Sequence, residues 1–522
     1  MVFHSPFPDV DIPKLSLPQF IFERSKHLGE KVALIDGSSN RTISYQQLFE
    51  AIRLVASGLA AKGFKKGDVF AIYSPNLPEY AIAFHAVATL GGINTTVNPL
   101  YTPEELLFQL KDAKATYLLT IPQFMDKALA VAEEAGLKEI FVFGETEGAT
   151  PFADLLKSDG HLPEVHIDPE KDLVVLPYSS GTTGLPKGVM LTHHNLVSNI
   201  CQCGGVKSDA AIRSDDTLLG ILPFYHIYGM VVIMNYALAE GASIVTLPRF
   251  ELEPFLQTMQ RYEISYAHLV PPIVLALAKH PLVDKYPLPK LRVIFSGAAP
   301  LGGNVAEECR KRLGCWIQQG YGMTELSPVS HMNPDSPETI DLASIGPSLP
   351  NTEYKFIDLE DGHELEANQT GELLVRGPQR MVGYLNNDEA TKRTINSEGW
   401  LHTGDVGYAD EKGYVYIVDR VKELIKYKGF QVAPAELEAL LLSHPAIADA
   451  AVVPCPDEEA GEIPRGFVVL KPGQVLSIEE VMAFVAEKVA PYKKLRRLEF
   501  IDAIPKSASG KILRRVLKDR VV

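Results

Sequence analysis

The chain has 522 residues, 46% of them hydrophobic and 22% charged, so it is too long for one core and calls for two or more globular domains. With 50 basic and 65 acidic residues it carries a net charge of -15, which argues against general binding to nucleic acid or an anionic membrane; any anionic ligand must be met by a local cluster of cations. Cys201, Cys203, Cys309, Cys315 and Cys455 are odd in number and form no Cys-x-x-Cys pair, which indicates neither a disulfide framework nor a zinc site and fits a reducing, cytoplasmic setting. The N-terminus lacks a signal-peptide pattern, the C-terminus is not the Ser-Lys-Leu address, and the most apolar stretch, 230–247, is broken by Asn235 and Glu240, so no membrane insertion is expected.

In chain order, Ser44 and Gln47 have the spacing of a capping box and open an amphipathic helix running to about Lys62. A buried strand is expected over 68–73, a helix from Pro78 to about Leu90, and a strand over 95–99. Strands at 115–120 and 139–143 flank a helix over 122–135. This alternation implies a parallel α/β sheet. Residues 144–172 turn polar and rich in Pro and Gly, a connection between subdomains.

That connection delivers the chain to a short strand at 173–176 and then to Tyr178-Ser179-Ser180-Gly181-Thr182-Thr183-Gly184-Leu185-Pro186-Lys187-Gly188. Three glycines let backbone N–H groups converge on an oxyanion, hydroxyls add donors, and Lys187 adds a point charge; the combination suits a polyphosphate. It is not a P-loop, because Pro186 and Gly188 stand where Gly and Ser or Thr are required, and it lacks the dinucleotide fingerprint.

Further on, 220–230 places His226, Tyr225 and Tyr228 in an apolar stretch suited to a pocket wall, although a lone His in such a place is as often a satisfied core residue. Arg249 follows a strand at 242–247 and reads locally as a solvated charge. A proline-led helix at 271–278 precedes a strand at 291–295, which ends in Ser296-Gly297-Ala298-Ala299-Pro300, small residues that let something flat approach the backbone. In Gln318-Gln319-Gly320-Tyr321-Gly322-Met323-Thr324-Glu325 a tyrosine could stack on a base and Glu325 could hold a metal; a surface turn explains the stretch equally well. Asp405 follows a tight turn, as binding of ribose hydroxyls requires. The charged run 419–431 marks a boundary, and beyond it the elements change to helix 434–442, strands 448–453 and 467–470, helix 478–489 and strand 498–500. From Lys488 to Arg520 there are 11 basic against 3 acidic residues, a density that can face an anionic ligand. A zinc-protease helix fails because Ala367 stands where the second histidine belongs, and a nucleophile elbow at Ser296 fails because Ile294 and Ala298 replace its glycines.

Taken together, the motifs at 179–188, 321–325, 403–405, 419–431 and 505–511 resemble the adenylate-forming superfamily, which includes acyl- and aryl-CoA ligases, peptide synthetase adenylation domains and beetle luciferases. The similarity covers essentially the whole chain, and 422–436 and 224–228 look most like 4-coumarate-CoA ligases and their relatives. The resemblance implies a large N-terminal α/β domain with a smaller β subdomain, spanning 1–420, and a small mobile α+β domain, 421–522, hinged near Lys422. It implies an ATP-dependent acid-CoA ligase that forms acyl-AMP and then acyl-CoA on a hydroxycinnamic acid, acting as monomer or homodimer on a small carboxylic acid, ATP and CoA; the alternatives are a medium- or long-chain fatty acyl-CoA synthetase, a luciferase-like oxygenase, a peptide synthetase adenylating enzyme and a nucleotide-binding module without catalysis.

By the same resemblance Ser179, Ser180, Gly181, Thr182, Thr183, Gly184 and Lys187 cradle the β- and γ-phosphates. Gly297, Ala298, Ala299, Gln319, Gly320, Tyr321 and Gly322 line the adenine site, and Thr324 touches the α-phosphate. Glu325 holds Mg²⁺, Asp405 takes the ribose hydroxyls and Arg420 supports them. Lys511 bridges the attacking carboxylate and the α-phosphate. Lys426 and Gln431 serve the adenylate and thioester formation, Arg249, Lys428 and Gly429 contact CoA, and His226, Tyr228, Pro328 and Val329 form the acyl pocket.

Overall fold

A computed structural model describes residues 1–179, 186–206, 208, 210–334, 341–428, 430–457, 459–507 and 510–520. Its large N-terminal part contains two eight-stranded sheets and one five-stranded sheet; a smaller C-terminal part carries a further five-stranded sheet. The first eight-stranded sheet runs in the order Gly383–Tyr384, Lys187–Thr192, Leu173–Ser179, Ile93–Thr96, Val69–Ile72, Ala115–Thr120, Glu139–Val142 and Thr150–Pro151. Its centre is parallel, with Val69 opposite Ile93 on one side and Ala115 on the other. The second runs Val329–Met332, Trp316–Gly322, Val293–Ser296, Tyr266–Leu269, Thr217–Gly220, Ser243–Thr246, Val32–Asp36 and Thr42–Ser44.

Local chemistry explains where several helices begin. Ser44 Oγ accepts the Gln47 N–H at 3.2 Å while Gln47 Oε1 accepts the Ser44 N–H at 2.9 Å, and the helix Tyr45–Ala61 follows. Thr102 with Glu105 and Ser477 with Glu480 repeat the device at Pro103–Ala113 and Ile478–Ala486. The latter helix stops before the expected Val489, because Pro491 cannot continue it. The expected strand at 95–99 lies instead at Ile93–Thr96, and Asn98 and Pro99 open a turn in which Asn98 Oδ1 accepts the Leu100 N–H at 3.0 Å.

Helix Pro78–Thr89 is buried on every face from Tyr80 to Ala88, as a helix must be when it lies between two layers. It touches Ile93–Thr96 and Val69–Ile72 of the first sheet and Val32–Asp36 of the second, and one continuous core containing Tyr45, Tyr80, Phe84, Phe141 and Phe224 joins the layers. The antiparallel five-stranded sheet, Val2–His4, Glu353–Ile357, Gly371–Arg376, Leu401–Ala409 and Val415–Arg420, has its own core around Tyr354, Phe356 and Leu373. From Ile425 onward the chain builds the separate sheet of Phe430–Val432, Ile425–Tyr427, Gly461–Leu470 and Ile447–Asp457, with Arg497–Phe500 paired parallel to Gly461–Leu470. None of the described helices is long and apolar enough to cross a membrane.

Several histidines are sealed in these cores. Burial pushes His331 and His268 down to about 3 and His85 to about 4, so each is neutral when the protein is folded at neutral pH. The unfolded chain, with histidines near 6.5, takes up protons first as pH falls. Stability therefore declines below pH 6.5, by up to about 1.4 kcal/mol per pH unit for each such histidine. Melting curves between pH 7 and 5 should show Tm falling with acidity, and His331→Asn should make the decline shallower.

Candidate active site

The two eight-stranded sheets, the small antiparallel sheet and the C-terminal segment converge on one cleft of about 1440 Å³. Strands Leu173–Ser179 and Lys187–Thr192 pair antiparallel with Lys187 opposite Ser179, so the two ends of the intervening segment are held side by side. Ser180, Gly181, Thr182, Thr183 and Gly184 of that loop lie outside the described residues, whereas Ser179 and Lys187 line the cleft.

Glu325 is the centre of the end of the cleft that Ser179 and Lys187 line. Its carboxylate is buried, and its Oε1 accepts hydrogen bonds from Ser179 Oγ at 3.1 Å and Tyr384 Oη at 2.8 Å. Tyr384 also offers its ring to Lys187, whose Nζ lies 4.1 Å from the centroid. Burial lowers the Lys187 pKa, with Lys422 and Arg393 adding repulsion and Glu325 opposing them. A buried carboxylate held by neutral hydroxyls beside a half-buried ammonium is a donor set that fits a divalent cation shared with phosphate oxygens.

A second polar cluster surrounds Asp405. Strand pairing sets Asp405 opposite Arg420, and the Arg420 Nε lies 3.2 Å from Asp405 Oδ1. Tyr321, arriving from the other sheet, donates its hydroxyl to Asp405 Oδ2, and Thr403 Oγ1 accepts the Asp405 N–H at 3.1 Å. Burial raises the Asp405 pKa; Arg420, Tyr321 and Lys511 pull it back. The stretch 318–325 is therefore no surface turn: Trp316–Gly322 is an internal strand, with Gln318 and Gln319 buried.

Lys511 reaches the same space from the C-terminal segment. A tight bend presents it: the Ser507 N–H donates to Lys511 O at 2.8 Å and the Lys511 N–H to Ser507 Oγ at 3.2 Å. The bend is fastened by Lys506 to Asp449 at 2.6 Å and by Arg514 to Glu438. Gly510 has φ 78°, and a Cβ there would lie 3.2 Å from Val270 and 3.3 Å from Pro272, so this glycine lets the bend seat against the large part. Burial pushes the Lys511 pKa down and Arg420 lowers it further, while Asp405 and Glu325 oppose.

At the apolar end, Asn76 pins the segment that carries His226. Its Nδ2 donates to Gly220 O at 3.0 Å and Leu222 O at 2.8 Å, and its Oδ1 accepts the Phe224 N–H at 2.7 Å. His226 Nδ1 accepts the Tyr228 N–H at 3.3 Å, and burial together with the nearby Lys511 charge pushes its pKa down to about 3. Tyr228 begins a π-helix, Tyr228–Asn235, and its hydroxyl donates to Phe295 O at 3.1 Å beside His268 Nδ1 at 3.3 Å. With Phe295, Ala298, Gly320, Pro328 and Val329 it lines the apolar end of the cleft.

Several expected residues do not meet in the cleft. The Gln319 side chain braces Leu301, donating to its carbonyl at 3.0 Å and accepting its N–H at 3.1 Å, and neither Gln319 nor Ala299 is part of the lining, whereas Gly297, Ala298, Gly322, Thr324 and Lys422 are. Lys426 and Gln431 face each other on an antiparallel pair of the small sheet, both exposed and away from the cleft. Arg249 pairs with Glu251 at 2.6 Å and Lys428 with Glu459, also outside it; Gly429 lies outside the described residues. Tyr384, Phe295 and Arg393 line the cleft without having been expected from the sequence. Tyr384 meets Glu325 across 59 residues, and no local pattern signals that contact.

The chain that builds this cleft, lined by the buried carboxylate of Glu325 and by Lys187, Arg393, Arg420, Lys422 and Lys511, matches a family model described as AMP-binding enzyme over residues 21–385, and the C-terminal domain model of the same enzymes over 436–511. The chain belongs to the AMP-binding enzyme family. At 45% identity it is similar to 4-coumarate--CoA ligase 1 of Solanum tuberosum, covering 100% of this chain and 97% of that protein, and at 44%, with the same coverage, to 4-coumarate--CoA ligase 1 of Petroselinum crispum. Among solved structures it is similar to the anthranilate CoA ligase AuaEII in complex with anthranoyl-AMP, with TM-score 0.90, 26% identity and 98% of each chain covered. It is also similar to ATP-bound MatB from Rhodopseudomonas palustris, with TM-score 0.88, 28% identity, and 97% of this chain and 99% of that one covered.

The pocket's aromatic wall depends on one missing side chain. A Cβ at Gly320 would stand 2.5 Å from the Phe295 ring. Gly320→Ala should displace that ring into the pocket and cost about 1–3 kcal/mol. A fall in Tm accompanied by a raised KM for the acid substrate is the expected outcome.

Proposed function

We propose that this chain is an ATP-dependent acid-CoA ligase: a carboxylate attacks the α-phosphate of ATP to give acyl-AMP and pyrophosphate, and the CoA thiol then displaces AMP. The preferred acid is a hydroxycinnamic acid such as 4-coumarate. The observation that carries this reading is full-length similarity to 4-coumarate--CoA ligases. The apolar end of the cleft, lined by Tyr228, Phe295, Pro328 and Val329, supports an aromatic acid.

In this reading Ser179, Lys187 and the loop residues 180–184 hold the β- and γ-phosphates, and Thr324 the α-phosphate. The backbone at Gly297, Ala298 and 320–322 forms the adenine slot, and Asp405, positioned by Tyr321 and Arg420, takes the ribose hydroxyls. Glu325 would hold Mg²⁺, which supplies charge neutralisation at the phosphates. Neutral His226, at the junction of the acyl pocket and Lys511, orients the acid without adding charge beside its carboxylate. Lys511 bridges that carboxylate and the α-phosphate; a preorganised cation where charge develops is worth about 2.7–4 kcal/mol. Its pKa is lowered by burial first and by Arg420 second, and an anionic substrate beside it would favour the charged form.

The exposed Lys426 and Gln431, with Arg249, Lys428 and Gly429, belong to the second step. A swing of segment 421–522 about Lys422 exchanges Lys511 for Lys426 and Gln431 at the adenylate and opens the CoA approach. Lys511→Ala should abolish acid-dependent exchange of pyrophosphate into ATP while largely sparing CoA capture of supplied acyl-AMP, and Gln431→Ala should do the reverse. Equal loss of both steps in either variant would contradict the assignment. Pyrophosphate release measured over a panel of acids should be fastest with hydroxycinnamic acids; faster release with medium- or long-chain fatty acids would overturn the substrate.

A further inference from the structure

Lys511 can act only while the C-terminal segment is docked as the structure shows it, so the contacts that hold that docking belong to the reaction. Asp419 makes one of them. It lies on strand Val415–Arg420, paired with Val406 of the antiparallel sheet, and is 7% exposed. Its Oδ1 accepts the Arg420 N–H at 2.7 Å. Its Oδ2 crosses to the other side of Lys422 and accepts the Ala435 N–H at 2.9 Å. Ala435 is the second residue of helix Pro434–Leu442, which packs on Ile447–Asp457 of the C-terminal sheet. Because Pro434 has no N–H, Ala435 supplies the first amide donor at the positive end of this helix.

We propose that Asp419 is a positioning residue that latches the C-terminal segment in the adenylate-forming arrangement through its bond to Ala435, and that each catalytic cycle breaks this latch. The proposal rests on the ligase reading above. Arg514 reinforces the latch: it attracts Asp419 while pairing with Glu438 on the helix and, at 3.5 Å, with Glu423 beside the hinge position. Arg514 stands three residues after Lys511, so the network that meets Asp419 also fixes the bend that presents the lysine. A swing about Lys422 leaves Asp419 on its strand and carries Ala435, Glu438 and Arg514 away together.

The balance of charges suits a contact that must open. The groups facing Asp419 are Arg514, Glu438 and the Ala435 and Arg420 amides; Glu423, itself 3.7 Å from Lys518, acts through Arg514. Burial pushes the Asp419 carboxyl up to about 6, with Glu438 adding to it, and Arg514 and the two N–H bonds offset only part of that cost. The docked state thus holds a buried carboxylate that regains water when the segment leaves, which keeps the latch weak enough to release.

Asp419→Ala removes the acceptor. Ala435→Pro removes the donor from the other side at a position that tolerates proline, as the Pro271-Pro272 start of helix Pro271–Lys279 shows in the same chain. Asp419→Asn keeps an acceptor oxygen. Acid-dependent pyrophosphate exchange should fall about tenfold in the first two variants, the loss expected for a hydrogen bond to a charged group. CoA capture of supplied acyl-AMP should remain at the wild-type rate or rise, tryptic cleavage after Arg420, Lys422 or Lys426 should accelerate, and Asp419→Asn should restore all three. Wild-type exchange and cleavage in Asp419→Ala and Ala435→Pro would overturn the latch, as would parallel loss of both half-reactions without rescue by Asn. If the wild-type protein catalyses neither half-reaction the ligase reading itself fails, and the cleavage rates then decide the latch alone.

Discussion

The carboxylate of Asp405 is where three otherwise independent parts of the chain meet. It is buried on the antiparallel sheet, takes the hydroxyl of Tyr321 from the second eight-stranded sheet, and pairs with Arg420, the last residue of the strand that leads to the C-terminal segment. Lys511, arriving from that segment, feels the same charge. An isolated buried carboxylate is expensive, so the partners converge because each offsets part of its desolvation. That convergence ties the last strand of the large part to the cleft, which Tyr321, Arg420 and Lys511 line.

The charge distribution follows the same logic. Most of the acidic excess lies in the first 420 residues, yet the cleft gathers Lys187, Arg393, Arg420, Lys422 and Lys511 around only a few carboxylates. Burial and mutual repulsion lower the pKa of Lys187 and Lys511. A net-acidic protein that concentrates cations in one cleft favours an anion that fits there. The apolar end of the cleft is built differently, from backbone pinned by Asn76 and from glycines that bring aromatic rings against the strands, so it selects by shape.

Local features were legible wherever they rest on a few neighbouring residues. The Ser44 and Gln47 capping box, the proline-led helices and the parallel α/β alternation were readable because capping and hydrophobic period act within one or two turns. The 318–325 stretch was ambiguous alone, since glycines and a tyrosine describe a surface turn as well as an internal strand, and only the flanking sheet strands distinguish them. Tyr384, which holds both Glu325 and Lys187, was invisible because the contacts join strands from distant parts of the chain.

By itself the sequence determined the kinds of chemistry available: a glycine-rich loop with a lysine, the carboxylates Glu325 and Asp405, the late Lys511, and a family pattern that orders them. The tertiary structure decided which of these meet. It sets Lys511 in the cleft while Lys426 and Gln431 stay at the surface, because the bend at Ser507 seats Gly510 against Val270 and Pro272. It also turns Gln319 inward to brace Leu301. Residue types and spacing carry chemical capacity, but the choice among capable groups is made by packing and long-range hydrogen bonds, which no local stretch of sequence contains.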